Sequence, residues 1–222
     1  VGGLHEPETI ELLQRKDIPY VNTFVLDAQH PCVGFDNEMA GRMLADFLLD
    51  LGHLDFGVIA GVTSNNDRAS ARVAGIRSAL LLRGVALPRE RLIERPYRIV
   101  EGQLGFRALM DAYPRPTAVI CGNDVLAFGA LLEADRLGIA VPGEVSIAGF
   151  DDLEFSERLK PSLTTIKIDA EQIGARTAER ILQVLSGQPA VRVTEVATSL
   201  LVRQSTGRPG DPSVSSALSR QR

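Results

Sequence analysis

Chemistry-bearing side chains in this sequence gather just after short apolar runs. Behind residues 56–60 come Asn65, Asn66, Asp67 and Arg68, with Arg72 one helical turn further on. Behind 91–95 comes Tyr97, behind 117–121 come Asn123 and Asp124, and behind 145–149 come Asp151 and Asp152. An arginine donates through a rigid fork, a carboxylate accepts, an amide does both, and a tyrosine adds a ring face. Such a set grips a polyhydroxylated or heterocyclic small molecule. Each residue also has a plainer role open to it. Asn123 or Asp124 could cap the helix that follows. Asp151 could be a solvated turn residue, Arg72 a surface arginine and Tyr97 a core or linker side chain, while Asn66 and Arg68 could be solvated loop residues.

The patterns that break bonds are missing. The sequence has no G-x-S-x-G elbow, no G-x-x-x-x-G-K-[ST] phosphate loop and no G-x-G-x-x-G turn. His5, His30 and His53 stand apart from one another and from the cysteines, without metal-ligand spacing. His53 follows Gly52 and reads as a helix-end cap or solvated turn residue. Adjacent carboxylates at 151 and 152 lack a partner base or nucleophile. We therefore expect no catalytic residue, no metal and no cofactor. Cys32 and Cys121 are too few for a disulfide framework and read as packed core thiols.

The elements that would carry these residues alternate. A short helix is expected over 7–15 and strands over 20–25 and 33–35. Ala40, Leu44, Phe47, Leu48 and Leu51 then mark one helix face, with Asp36 as N-cap and Gly52 as C-cap. Further strands are expected over 56–60, 91–95, 117–121, 145–150, 191–196 and 199–203. The helices between them run from Ala69 to Gly84, over 102–113, over 124–137, and from Ile173 to Gly187. Strand–helix alternation with short links predicts parallel βαβ units. In such sheets ligands bind beyond the carboxyl ends of the strands, where the polar residues gather. The opening Val1-Gly2-Gly3-Leu4 reads as the end of a strand already under way, and the Ser/Pro/Gly-rich stretch from Ser205 to Arg222 as a disordered tail.

Bulk composition agrees with a binding role. The 222 residues are 45% hydrophobic and 23% charged, enough for one large α/β domain or two lobes. A net charge of −4 without a Lys/Arg-rich run argues against a direct grip on nucleic acid. No apolar run reaches the roughly 18 residues of a membrane span.

A specific resemblance rests on longer runs. GNDVLAFGA at 122–130 and LGIAVPGEVSIAGFDD at 137–152 stand beside VGFDN at 33–37, AGR at 40–42, LGH at 51–53, RVAG at 72–75, PSLTTI at 161–166 and LVRQST at 201–206. In this order they resemble the LacI/GalR family of transcription regulators from residue 1 to about 206. The resemblance implies a periplasmic-binding-protein type I fold, with two Rossmann-like lobes, parallel sheets, three crossover strands and an effector in the cleft between. By position, 1–35 and 168–190 would form an incomplete N-terminal lobe, 36–167 and 191–206 the C-terminal lobe, and 207–222 a disordered tail. The effector-contacting positions would be Arg72, Asp151 and Asn123, with Tyr97 lining the cleft, Asn66 and Arg68 on a variable specificity loop, and Phe24 facing it from the other lobe. The implied protein is a cytoplasmic, homodimeric, non-enzymatic sensor of a small effector: a sugar or sugar derivative first, a nucleobase second. Operator DNA would be met only through an N-terminal helix-turn-helix. That domain and two βα units, on the order of 100 residues at a usual family length, precede the point where this chain starts. The alternative in the same fold is a sugar-binding protein of a transport system; an enzyme on this fold is a remote third.

Overall fold

The computed structural model describes residues 7–189 and 191–210. In chain order they form α1 (Pro7–Arg15), β1 (Asn22–Thr23), β2 (Cys32–Gly34), α2 (Asn37–Asp50), β3 (Phe56–Gly61), α3 (Asp67–Leu82), β4 (Leu92–Arg95), α4 (Ile99–Met110), β5 (Ala118–Cys121), α5 (Asp124–Leu137), β6 (Ser146–Asp151), β7 (Thr164–Ile168), α6 (Ala170–Leu185), β8 (Val193–Glu195) and β9 (Thr198–Leu201). Two sheets result. The larger runs β4-β3-β5-β6-β7-β9 and is parallel except for the antiparallel pair β7–β9. The smaller runs β1-β2-β8 and is parallel throughout.

Strand side chains alternate between two cores, as the two-residue period requires. Phe56, Val58, Ala60, Ile120 and Phe150 pack on the face covered by α2 and α3. Ile59, Val119, Cys121 and Ile147 pack on the opposite face, against Phe106 and Leu109 of α4 and Leu126 and Ala130 of α5. Both cysteines are free and buried. The signals at α2 operate: the Asp36 side chain accepts from Met39 N–H, and Gly52 takes a φ of 100°. At α5 the cap falls to Asn123 and not to Asp124, while Gly138 closes the other end in the left-handed conformation as expected. Among the described residues no helix is long and apolar enough to cross a membrane.

Several expectations change. The strand expected over 20–25 pairs only at Asn22 and Thr23, because Phe24 turns out of the ladder with a φ of 62°. β7, absent from the expected set, is an interior strand whose Thr164 and Thr165 are fully buried. The segment 191–196 differs from its assignment to the larger lobe: Val193–Glu195 pairs in register with Cys32–Gly34, giving β2 a partner on its second edge. His53 is no solvated cap; it is 1% exposed.

His53 ties the amino end of the large sheet together. Its Nδ1 lies 2.9 Å from Thr117 Oγ1, and its Nε2 lies 2.9 Å from the Gly207 carbonyl and 3.1 Å from Ser146 Oγ. A carbonyl can only accept, so Nε2 carries the ring proton. Burial lowers the imidazole pKa, which keeps the ring neutral. Gly207, expected in a disordered tail, is thereby anchored, and its N–H donates to Ser146 Oγ at 3.0 Å. The opening Val1-Gly2-Gly3-Leu4 and the rest of the tail, 211–222, lie outside the described residues.

The chain passes between the two sheets three times. It crosses from β2 to α2 through Phe35 and Asp36, from β7 to α6 through Asp169, and from β8 to β9 through Val196 and Ala197.

Candidate functional site

The loop after β3 starts α3. Asn66 caps that helix, its Oδ1 accepting from Ala69 N–H at 3.2 Å. One turn in, Arg72 reaches across the strand ends. Its Nε donates to Asn37 Oδ1 at 3.0 Å and its Nη1 to the Gly122 carbonyl at 2.9 Å. The guanidinium stacks 3.9 Å from the Phe150 ring centroid. Asn37 in turn donates from Nδ2 to the Phe24 carbonyl at 2.9 Å. Arg72 and Asn37 thus form a relay from the large sheet to a residue beside the small one. Burial lowers the Arg72 pKa, and the nearby Asp151 charge works against that fall.

Beyond β4, Tyr97 lies over the end of β3. A Cβ on Gly61 would sit 2.1 Å from its hydroxyl oxygen, so only glycine leaves room for the ring. Beyond β5, Asn123 has both roles open to it. Its Oδ1 caps α5 by accepting from Leu126 N–H at 3.0 Å, and its side chain is buried at the cavity wall.

Asp124 and Asp151 end neighbouring strands and behave differently. Asp124 is fully buried and saturated: it accepts from Ser156 Oγ at 2.5 Å, Thr165 Oγ1 at 2.7 Å and Leu153 N–H at 2.9 Å. A Cβ on Gly149 would come within 2.3 Å of its Oδ1. Asp124 therefore fastens β7 and the loop after β6 and lies behind the cavity. Burial raises its pKa against those hydrogen bonds. The Asp151 carboxylate has no hydrogen-bond partner among the described residues. Burial pushes its pKa up to about 6, with the Arg72 charge holding it back and the Asp124 charge adding to the rise. Its φ is 115°, and Asp152 beside it has a φ of 59°. Backbone of this kind costs roughly 1–3 kcal/mol per residue and persists only where its surroundings enforce it. Here Asp152 is clamped to Arg203 at 2.7 Å and Leu153 N–H is held by Asp124, so the loop is pinned just beyond the strained residue.

Phe24, Asn66, Arg68, Arg72, Tyr97, Asn123 and Asp151 all line one cavity of about 460 Å³ between the two sheets. The sequence alone did not point to three further lining residues, Leu153, Ile168 and Ala170, or to Asn37 as the support of Arg72. Leu153 and Ile168 carry only apolar side chains, while Asn37 stands at the start of a helix and resembles an ordinary capping residue. Among the described residues no group of acidic, histidine or cysteine side chains could hold a metal ion. The cavity offers donors, one unpartnered acceptor and two aromatic rings, which suits reversible binding of a polar ligand.

Comparison with known proteins points the same way. A model of a periplasmic binding protein-like domain matches residues 45–206. The chain is 31% identical over 172 residues to the HTH-type transcriptional repressor PurR of Pectobacterium atrosepticum, a match covering 77% of this chain and 50% of the repressor. It thus spans about half the length of the curated relatives it matches. Among solved structures it is similar to the transcription regulator GntR of Chromobacterium violaceum, with a TM-score of 0.86 and 32% identity over 93% of this chain and 77% of that one. It is also similar to the transcriptional regulator CelR in complex with cellobiose, with a TM-score of 0.81 and 27% identity over 91% of this chain and 63% of that one. These relatives are named as transcription regulators, not enzymes.

Proposed function

The chain belongs to the periplasmic binding protein-like family, as an effector-binding domain of the LacI/GalR type, and on that premise we propose that it is the effector-sensing part of a transcription regulator. One observation carries the reading: seven polar and aromatic residues from five strand ends meet in a single cavity between the sheets. The effector is a small polar molecule, a sugar or sugar derivative in the first instance. Support comes from the Arg72 N–H donors left over from its bonds to Asn37 and Gly122, the unpartnered Asp151 carboxylate and the rings of Phe24 and Tyr97. Cellobiose bound to a relative of the same fold supports the same class. A nucleobase is the second candidate, since an aromatic ring stacks on either.

Sensing requires that effector favour one arrangement of the two sheets over another. The free energy difference would reach operator DNA through a helix-turn-helix domain such as the PurR relative's name declares. We place the protein in the cytoplasm as a homodimer, where such a regulator meets its operator. Regulator relatives favour this over the transport reading.

The test is calorimetry of sugars, sugar acids and nucleobases against the wild type and Asp151→Asn. Binding by the wild type and its loss in the variant is the expected result; equal affinity in both sinks the assignment of the cavity. Arg72→Ala is a less clean probe, because it also removes the relay to Asn37 and Gly122.

A further inference from the structure

The charges lining the cavity do not balance. Arg72 is engaged: two of its nitrogens donate to protein acceptors, its plane stacks on Phe150, and its charge faces Asp151. Arg68 lines the same cavity with no side-chain hydrogen bond among the described residues. Its nearest carboxylate is Asp67, 3.9 Å from Nε, and that same oxygen already accepts the Arg68 backbone N–H at 2.8 Å. Asp151 faces Arg68 as well as Arg72, so one lining carboxylate serves two guanidinium groups and the wall keeps an excess of positive charge on the Arg68 side. About a third of its side chain is exposed, so water solvates it while the cavity is empty. A ligand filling the cavity displaces that water, and a neutral ligand would leave a desolvated cation without a counter-charge of its own.

We propose that the effector carries an anionic group, a carboxylate or a phosphate, on its polar scaffold, and that Arg68 reads that group. This rests on the cavity being the effector site. A guanidinium meets either anion through two parallel N–H donors, so both sources share one recognition chemistry. Asp151, which when ionised can only accept, meets hydroxyl or amine donors of the same ligand and disfavours an anion placed on its own side. The cavity thereby orients an acidic ligand with its charge toward α3 and its donors toward β6.

The test titrates matched compounds into the chain by calorimetry: glucose, glucuronate and glucose 6-phosphate; the same three forms of galactose; and inosine with its 5′-monophosphate. Wild type, Arg68→Gln and Asp151→Asn are compared. In the wild type, an anionic member of one series binds at least about tenfold more tightly than its neutral counterpart. In Arg68→Gln that margin shrinks to about twofold or less. The carboxylate and phosphate arms tell the two sources apart. Equal or tighter binding of the neutral member, lost in Asp151→Asn, overturns the anion inference and leaves the effector site standing. A margin that survives Arg68→Gln also overturns it. Binding of none, or binding that ignores Asp151→Asn, overturns both.

Discussion

The strands of the large sheet end in two ways. At the amino ends, His53, Thr117, Ser146 and Gly207 form a closed knot in which every imidazole nitrogen has a partner. At the carboxyl ends Asp151 and Arg68 have unused hydrogen-bonding capacity, and Asp151, Asp152 and Asn65 all have positive φ. One end is saturated and relaxed, the other unsaturated and strained. Polar groups held inside a stable fold are ordinarily satisfied, and on the proposed function the unsatisfied end is the one an effector would complete. Asp124 sharpens the contrast. It starts from the carboxyl end but is satisfied like a residue of the other, and it lies behind the cavity instead of in it.

The largest expected effect is on the saturated carboxylate. Asp124→Ala strands the Ser156 and Thr165 hydroxyls and the Leu153 N–H, and should cost about 3–4 kcal/mol in urea unfolding. A cost below about 1 kcal/mol would erase the distinction between the two aspartates. Next comes Asp151→Asn. It should lower ligand affinity by about 100-fold, near 2.7 kcal/mol, while unfolding free energy moves by less than about 1 kcal/mol. His53→Ala, at the opposite end, should show the reverse: about 2 kcal/mol lost in unfolding and ligand affinity unchanged within about twofold. Weakened binding in that variant would mean that the two ends are coupled.

The smallest effect is a pH dependence. Asp151 holds its proton more tightly folded than unfolded, so the folded state binds more protons between pH 3.8 and about 6. Its contribution to stability is therefore present below that window and is lost as pH rises through it. Across the window, wild-type unfolding free energy should fall relative to Asp151→Asn by about 1–2 kcal/mol, since the side chain is only partly screened from water. Parallel curves for the two proteins would show that Asp151 is solvated like a surface carboxylate.

Much of the site was legible because its residues announce themselves locally. Asn66 and Asn123 sit at helix starts beyond apolar strands, and Gly138 and Gly52 close helices as their type allows. The strand-end rule alone placed Arg72, Tyr97 and Asp151 on one rim, and the structure puts them in one cavity. What stayed hidden depends on partners far along the chain. His53 finds its hydrogen-bond partners 64, 93 and 154 residues away, and no local pattern encodes that. β7 was missed because Thr164, Thr165 and Lys167 break the apolar run; the threonines are buried because Ser205, Thr206 and Asp124 satisfy them. β8 carries no local mark of which sheet it joins, because its partner Cys32–Gly34 lies far back along the chain.

The three crossings between the sheets are short: Phe35–Asp36, Asp169 and Val196–Ala197 are all that separate ordered elements on either side. The first and third run side by side, with Val196 N–H donating to the Gly34 carbonyl at 2.7 Å. Tethers this brief leave little freedom to slide or separate and concentrate torsion in a few φ/ψ pairs. The remaining soft coordinate is rotation about the line joining them. Phe24 is carried on one side of that line, Arg72 and Asp151 on the other, so the width of the cavity is a direct measure of the angle between the sheets.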